Sequence, residues 1–474
     1  MKRMLLLFTL ITMSNIANAV DHFILSSAQG NGSGTDWINA CKDFSGSCAV
    51  NSLVRGDTYY VGTGSYTGNY VFNTPDSGTA VITILGATAA NHGTDTGWSN
   101  SYSVNAADGG SQAVWSQGLT FTSDYWKWDG AVGAGASVNP GDTTPGHYGF
   151  RFADGLSTGV LIGSPGSGSC GSSNSNITIA HFYAKATSSD TQKEFEIGNT
   201  YGGVLSNITF SNFLIDGWQG LLMTKSGACS GTPYTGWIVQ YGIMLNGYSS
   251  SANHGEWINP NERPISGLIF RYNIIRGSSG SAGMTGWIVA NNSDNDNAEI
   301  YGNVFDSPLV GNGVITGTSQ GKLNNASIYN NTFLNMPSQS GNALCGTGQG
   351  TGNVAQNNLF YKMSASIGGG CAADYNSYFS TTNTPSETHG QTGSGSPFVN
   401  VSSFNYALTA DTNAGAVLGG PSGCTSGATC YNVDPVGASR GSDGVWDRGA
   451  YQLSSGSSNG GIVSPPTNLV AVAQ

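Results

Sequence analysis

Apolar residues recur through the middle of the chain at i, i+2, i+5 and i+7. The pattern appears as Ile177, Ile179, Phe182 and Ala184, then as Ile208, Phe210, Phe213 and Ile215. It continues through Ile238, Gln240, Ile243 and Leu245, and through Leu268, Phe270, Asn273 and Ile275. Ala298, Ile300, Asn303 and Phe305 follow, then Ala326, Ile328, Asn331 and Phe333, and a weaker copy ends at Asn358 and Phe360. The i+7 positions step by 31, 30, 30, 30, 28 and 27 residues. Positions i and i+2 lie on one side of a strand, and a bend returns i+5 and i+7 to the interior. So regular a step predicts an all-β chain wound as a parallel solenoid, with coils stacked at ~4.8 Å. Equivalent residues then form columns. Asn273, Asn303, Asn331 and Asn358 make one such column. Their amides can satisfy one another inside the tube.

Segments such as Val81–Gly86 and Tyr125–Gly130 read as less regular coils. A solenoid needs capped ends. Residues Asp21–Val54 are the expected N-terminal cap, and the loop-rich stretch Asp374–Val445 is expected to cover the other end. The domain plan is a leader at 1–19, the solenoid at 20–452, and a Gly/Ser/Pro linker and tail at 453–474.

Two segments, NASIYNNTFLN at Asn325–Asn335 and WDRGAYQ at Trp446–Gln452, carry a family likeness. On them the chain resembles the right-handed, single-stranded parallel β-helix superfamily of pectate lyases, alginate lyases and polygalacturonases, over roughly Gly118–Gln452. The resemblance implies the fold and an extracellular polysaccharide as partner. It leaves the reaction open, because function resides in the site.

Composition agrees. Only 9% of residues are charged, 71 are glycine, and the net charge is −11. That disfavours charged helical bundles and gives nucleic acid no basic stripe. Met1–Ala19 has Lys2 and Arg3, an apolar run from Met4 to Met13, and Ala17-Asn18-Ala19 as a cleavage site, so export is expected. No stretch is long and apolar enough for a membrane span. A monomer is expected. Eight cysteines follow the leader, and nearness favours Cys41–Cys48, Cys424–Cys430, Cys345–Cys371 and Cys170–Cys229.

The outward i+3 column reads Ala180, Ser211, Tyr241, Arg271, Tyr301, Tyr329 and Gln356. Tyr241, Tyr301 and Tyr329 could stack on sugar rings, with Arg271 holding a carboxylate or sulfate. The alternative is an aromatic ladder that stabilises the sheet alone. The i+8 column of Asp216, Asn246, Arg276 and Asp306 reads as a turn column. The densest polar stretch joins Lys225, His254, Glu256, Trp257, Glu262, Asp294 and Asp296 on neighbouring coils. A lyase needs a base, for which Lys225 and His254 are candidates, with Glu256 and Arg271 completing the catalytic set. Glu262, Asp294 and Asp296 are oxygen donors suited to Ca2+, and Trp257 is a further sugar-binding ring. Glu256 falls where alginate-lyase-like β-helices carry a glutamate, whereas the polygalacturonase motifs are absent. A lyase acting by β-elimination is the leading expectation. A non-catalytic carbohydrate-binding or adhesive protein and a glycoside hydrolase are the alternatives.

Overall fold

The computed structural model describes residues 19–453 apart from 134–141, 157, 164–172, 187–192, 198–202, 218–221, 225–231, 249–255, 261–262, 280–287, 291–292, 307–312, 319, 337–341, 347–349 and 420–430. Strands stack in parallel, rung upon rung, as the repeat predicts. One face, here face one, runs through Ile238–Gln240, Ile269–Arg271, Glu299–Tyr301, Ser327–Tyr329 and Asn353–Gln356. After a bend, face two runs through Ile243–Tyr248, Ile274–Ser279, Val304–Asp306, Thr332–Met336 and Leu359–Met363. A third face, from Tyr70–Phe72 to Ile315–Gly317, forms a separate sheet.

The interior columns follow the register. Phe210, Val239, Phe270, Ile300 and Ile328 pair in sequence along face one and are all buried. On face two the Phe305, Phe333, Phe360 and Tyr378 rings stack at 4.9, 5.1 and 5.3 Å. The asparagine ladder lies between them. Each of Asn273, Asn303, Asn331 and Asn358 donates from Nδ2 to the Oδ1 of the next, at 3.0–3.1 Å. The same Oδ1 accepts the preceding backbone N–H at 2.9–3.0 Å. Asn376 extends the ladder, and Glu387 closes it by accepting the Asn376 Nδ2 and N–H at 2.9 Å. Glu387 also accepts from the Tyr378 hydroxyl, so one carboxylate ends both the amide ladder and the ring stack.

One coil departs from the expected register. Trp237, Val239, Gly242 and Met244 take the inward positions in place of Ile238, Gln240, Ile243 and Leu245. A one-residue slip turns every side chain to the other face. The sequence hides the true register because glycine stands where other coils have Phe or Asn. A Cβ at Gly242 would meet the Phe213 ring at 2.2 Å, so that ring requires the glycine. Gln240 therefore occupies the outward column assigned to Tyr241, and Tyr241 moves to the bend with a φ of 55°. The turn column shifts likewise, to Asp216, Leu245, Arg276 and Asp306.

The ends also differ from expectation. Asp21–Ile24 already pairs in parallel with Thr58–Val61, so the first rung precedes the capping loop. Phe44 of that loop plugs the tube against Phe72 and Trp115, and Cys41–Cys48 closes the loop. At the far end Cys371–Asp374, Ser377–Phe379 and Gln391–Gly393 are still rungs. The chain then folds back along the side of the tube. Phe398, Tyr406, Leu408, Ala450 and Tyr451 cover Leu214, Ile243, Ile274, Val304 and Leu334, the apolar outer side of face two. Those outward apolar side chains are buried by the returning segment. Cys345–Cys371 is a second disulfide among the described residues; Cys170, Cys229, Cys424 and Cys430 lie outside them.

Candidate functional site

Among the described residues, those singled out from the sequence do not gather at one place. Lys225, His254 and Glu262 lie outside the described residues. Glu256 is buried and accepts Asn259 Nδ2 at 3.2 Å, and Trp257 belongs to the core, where its ring cannot meet a sugar. Asp294 accepts the Lys322 N–H at 2.6 Å and Asp296 accepts Asn324 Nδ2 at 2.8 Å. Both carboxylates thus tie one coil to the next. The described carboxylates do not gather at the proposed Ca2+ position. Asp411, Asp443 and Asp447 do lie within 4.8 Å of one another, on the returning segment. There Asp447 already accepts from Thr412, Gln452 and Leu453, and Asp443 from Val445 and Gln452, as loop staples.

The outer aromatic column is a covered layer and not an open ledge. Arg271 is 2% exposed; its Nε and Nη2 donate to Gln240 Oε1 at 2.8 and 2.7 Å, and Nη1 donates to Tyr301 Oη at 2.9 Å. Tyr241 stacks on Tyr272 at 5.3 Å. Tyr431 from the returning segment sets its ring edge-on to Tyr301 and Tyr329, at 4.9 and 5.1 Å. Its carbonyl accepts from Asn330, and that of Val433 accepts from Tyr272. The returning segment therefore occupies the surface expected to hold sugar.

Further up the same outward column the chemistry changes. In Trp126–Asp129 the two tryptophans point into the core, so Lys127 and Asp129 point out. Asp129 pairs in register with Ala180, and His181 follows at the bend with a φ of 54°. The close approach needs Gly130, where a Cβ would meet the His181 carbonyl at 2.1 Å. Asp129 Oδ1 lies 2.7 Å from His181 Nδ1 and accepts the Ala131 N–H at 2.7 Å. Asp129 Oδ2 lies 3.0 Å from Lys127 Nζ. Burial works to raise the Asp129 pKa. The charges of His181 and Lys127, with the bonds from His181 and Ala131, outweigh it and hold the carboxyl well below the usual range. When the His181 ring is neutral, an ionised Asp129 favours the tautomer with its hydrogen on Nδ1, which leaves Nε2 as an acceptor. The His181 and Lys127 side chains are 26% and 39% exposed, against 9% for Asp129.

This corner was not found by periodicity, because Asp129 and Ala180 are far more than one repeat apart. The coil is interrupted between Gly130 and Gly149, and Phe150–Phe152 then completes it by pairing beside Phe182. The preceding coil is opened at the same bend, between Ile82–Gly86 and Ala113–Trp115. Loops inserted at one corner of a rigid scaffold are a common setting for function. The legible signal is the alternation in Tyr125–Gly130, which turns a Lys and an Asp outward from the core in a chain poor in charge.

No family model and no curated protein matches the sequence. Solved structures do match. The pectate lyase Pel9A aligns with a TM-score of 0.52 at 14% identity, over 93% of this chain and 98% of that one. The fold is the right-handed parallel β-helix. A PL6 family polysaccharide lyase from Pseudopedobacter saltans aligns with a TM-score of 0.36 at 13% identity, over 73% and 89% of the two chains. PfbA, a surface adhesin of Streptococcus pneumoniae, aligns at 0.34 and 11%, over 73% and 85%. Such identities speak to architecture alone.

Proposed function

We propose that the protein acts outside the cell on a polysaccharide, as a lyase whose base is His181. The carrying observation is the Asp129–His181 pair beside Lys127. His181 Nε2 takes the proton on the carbon α to a uronate carboxylate. The C–H electron pair forms the new double bond, the glycosidic C–O bond breaks, and the leaving oxygen takes a proton from the imidazolium or from water. Lys127 stabilises the charge that grows on the carboxylate. Its ammonium has three donors, and Asp129 takes one. Asp129 itself cannot protonate a leaving group at neutral pH, because its neighbours hold it ionised. Hydrolysis at this corner would need another group as its acid. The expected leader and the disulfides Cys41–Cys48 and Cys345–Cys371 support an oxidising, extracellular setting. No helix of the described residues is long and apolar enough to cross a membrane.

The test is a panel of acidic and neutral polysaccharides offered to the processed protein, with and without a chelator. The expected result is growing ultraviolet absorbance from an unsaturated uronate. Reducing ends without that absorbance would make the protein a hydrolase. Retention on a glycan with neither product would make it a binding or adhesive protein.

A further inference from the structure

The corner carries a cation on each side of His181. Lys127 stands outward on face one, level with Thr178. Arg151 lies between the core residues Phe150 and Phe152, so it stands outward on face two, level with Tyr183. Thr178 and Tyr183 are five residues apart on one coil. At 3.2–3.4 Å per residue the two cations are at most about 17 Å apart along the coil.

Arg151 differs from most described arginines in how its donors are used. Arg440 and Arg448 are buried and donate to carbonyls, and Arg55 donates largely to carbonyls. Arg276 lies over the Phe404 ring at 4.0 Å, beside Asp306. The Arg151 side chain is 32% exposed; its Nη2 donates at 2.8 Å to Asp154, itself 37% exposed, and its guanidinium lies 5.4 Å from the Tyr183 ring centre. Its Nε is buried, as are those of Arg440 and Arg448, so what sets Arg151 apart is the solvent exposure of its guanidinium. A partly exposed guanidinium backed by a tyrosine ring fits a planar carboxylate or a sulfate. A chain with a net charge of −11 repels polyanions in general, so an acidic glycan needs a local basic patch to land on.

We propose that Lys127 and Arg151 form a two-point anion site, and that an acidic glycan crosses the corner around the coil instead of running along the tube. This rests on the lyase reading only in sharing Lys127 and the corner; the binding itself needs no turnover. Lys127 holds the acidic group next to His181, and Arg151 holds a second one further along the glycan.

The experiment is calorimetric binding of polygalacturonate, dextran sulfate and neutral dextran at low and high salt. Folding of each variant is checked by its melting curve. Lys127→Ala and Arg151→Ala should each weaken polyanion binding at least tenfold and flatten its salt dependence. Arg151→Lys should recover only part, since the bidentate fork is lost. Lys42→Ala, an exposed cation near the N-terminal end, should change nothing. Thr209→Lys adds a cation two rungs along the tube from Lys127, and it should leave affinity unchanged. Tighter binding by Thr209→Lys would show an axial path and overturn the crossing. Wild-type affinity in Arg151→Ala, or equal binding of neutral dextran, would overturn the site. Turnover with an unchanged KM in Arg151→Ala would sink this proposal and leave the lyase reading standing. Polyanion binding that both variants weaken, without any product, would do the reverse.

Discussion

Asp129 and Arg271 stand in the same outward column, separated in register by Ala180, Ser211 and Gln240. Their surroundings are opposite. At Arg271 the cation is sealed beneath the returning segment, and Gln240 and Tyr301 take its donors. At Asp129 the anion is the buried partner, and the groups around it, His181 and Lys127, reach solvent. A charged residue on the outside of a solenoid therefore says little until its cover is known. Chemistry is open where the covering layer stops, and the covering layer comes from a segment far away in sequence.

That contrast can be broken most sharply by substitution. His181→Ala should lower turnover by roughly 10²–10⁴-fold, the usual worth of a positioned base, with the fold retained and the melting temperature lowered because Asp129 loses its partner. Tyr301→Phe should leave turnover alone and cost about 1–3 kcal/mol, because it leaves a buried Arg271 donor without its acceptor. Equal activity losses in the two variants would erase the distinction between the regions. Asn303→Leu should cost about 1–3 kcal/mol by removing the acceptor of the Asn273 N–H and Nδ2 donors, read as a lower melting temperature. An unchanged melting curve would count against the ladder.

The smallest effect is a pH dependence with opposite signs in the two regions. Burial raises the pKa of Asp434 and Asp447 in the returning segment, against partial offsets from Arg440 and backbone N–H groups for Asp434, and from backbone N–H groups and Thr412 for Asp447. A carboxyl with a raised folded pKa contributes its full stability below the unfolded value of about 3.9 and loses it as pH rises through the folded value. Asp129 is held low, so its contribution is complete above about 3.9 and fades as pH falls through its own depressed value. The melting temperature should thus rise modestly on mild acidification and fall in strong acid. Asp434→Asn should flatten the rise, and Asp129→Asn the fall.

The interior was legible because it repeats. Ile300, Asn303 and Phe305 announce their columns, and the Asn ladder follows from stacking alone. The slip at Gly242 shows the limit: a glycine required by a neighbouring ring carries no hydrophobic mark. The outer surface was legible only in part. Tyr301 and Tyr329 were correctly placed outward, but nothing local to them reveals that Tyr431 lies across them. The Asp129–His181 contact joins residues separated by 52 positions across inserted loops, where the period fails. Long-range cover and loop-broken register are set by tertiary packing, which a one-dimensional pattern does not encode.

The most direct measurement is the rate of unsaturated-product formation by wild type and by His181→Gln, on whichever acidic polysaccharide the wild type cleaves and with both proteins shown to be folded. The account predicts product from the wild type and a rate at least a hundredfold lower from the variant. A variant that matches the wild type would place the chemistry elsewhere on the tube.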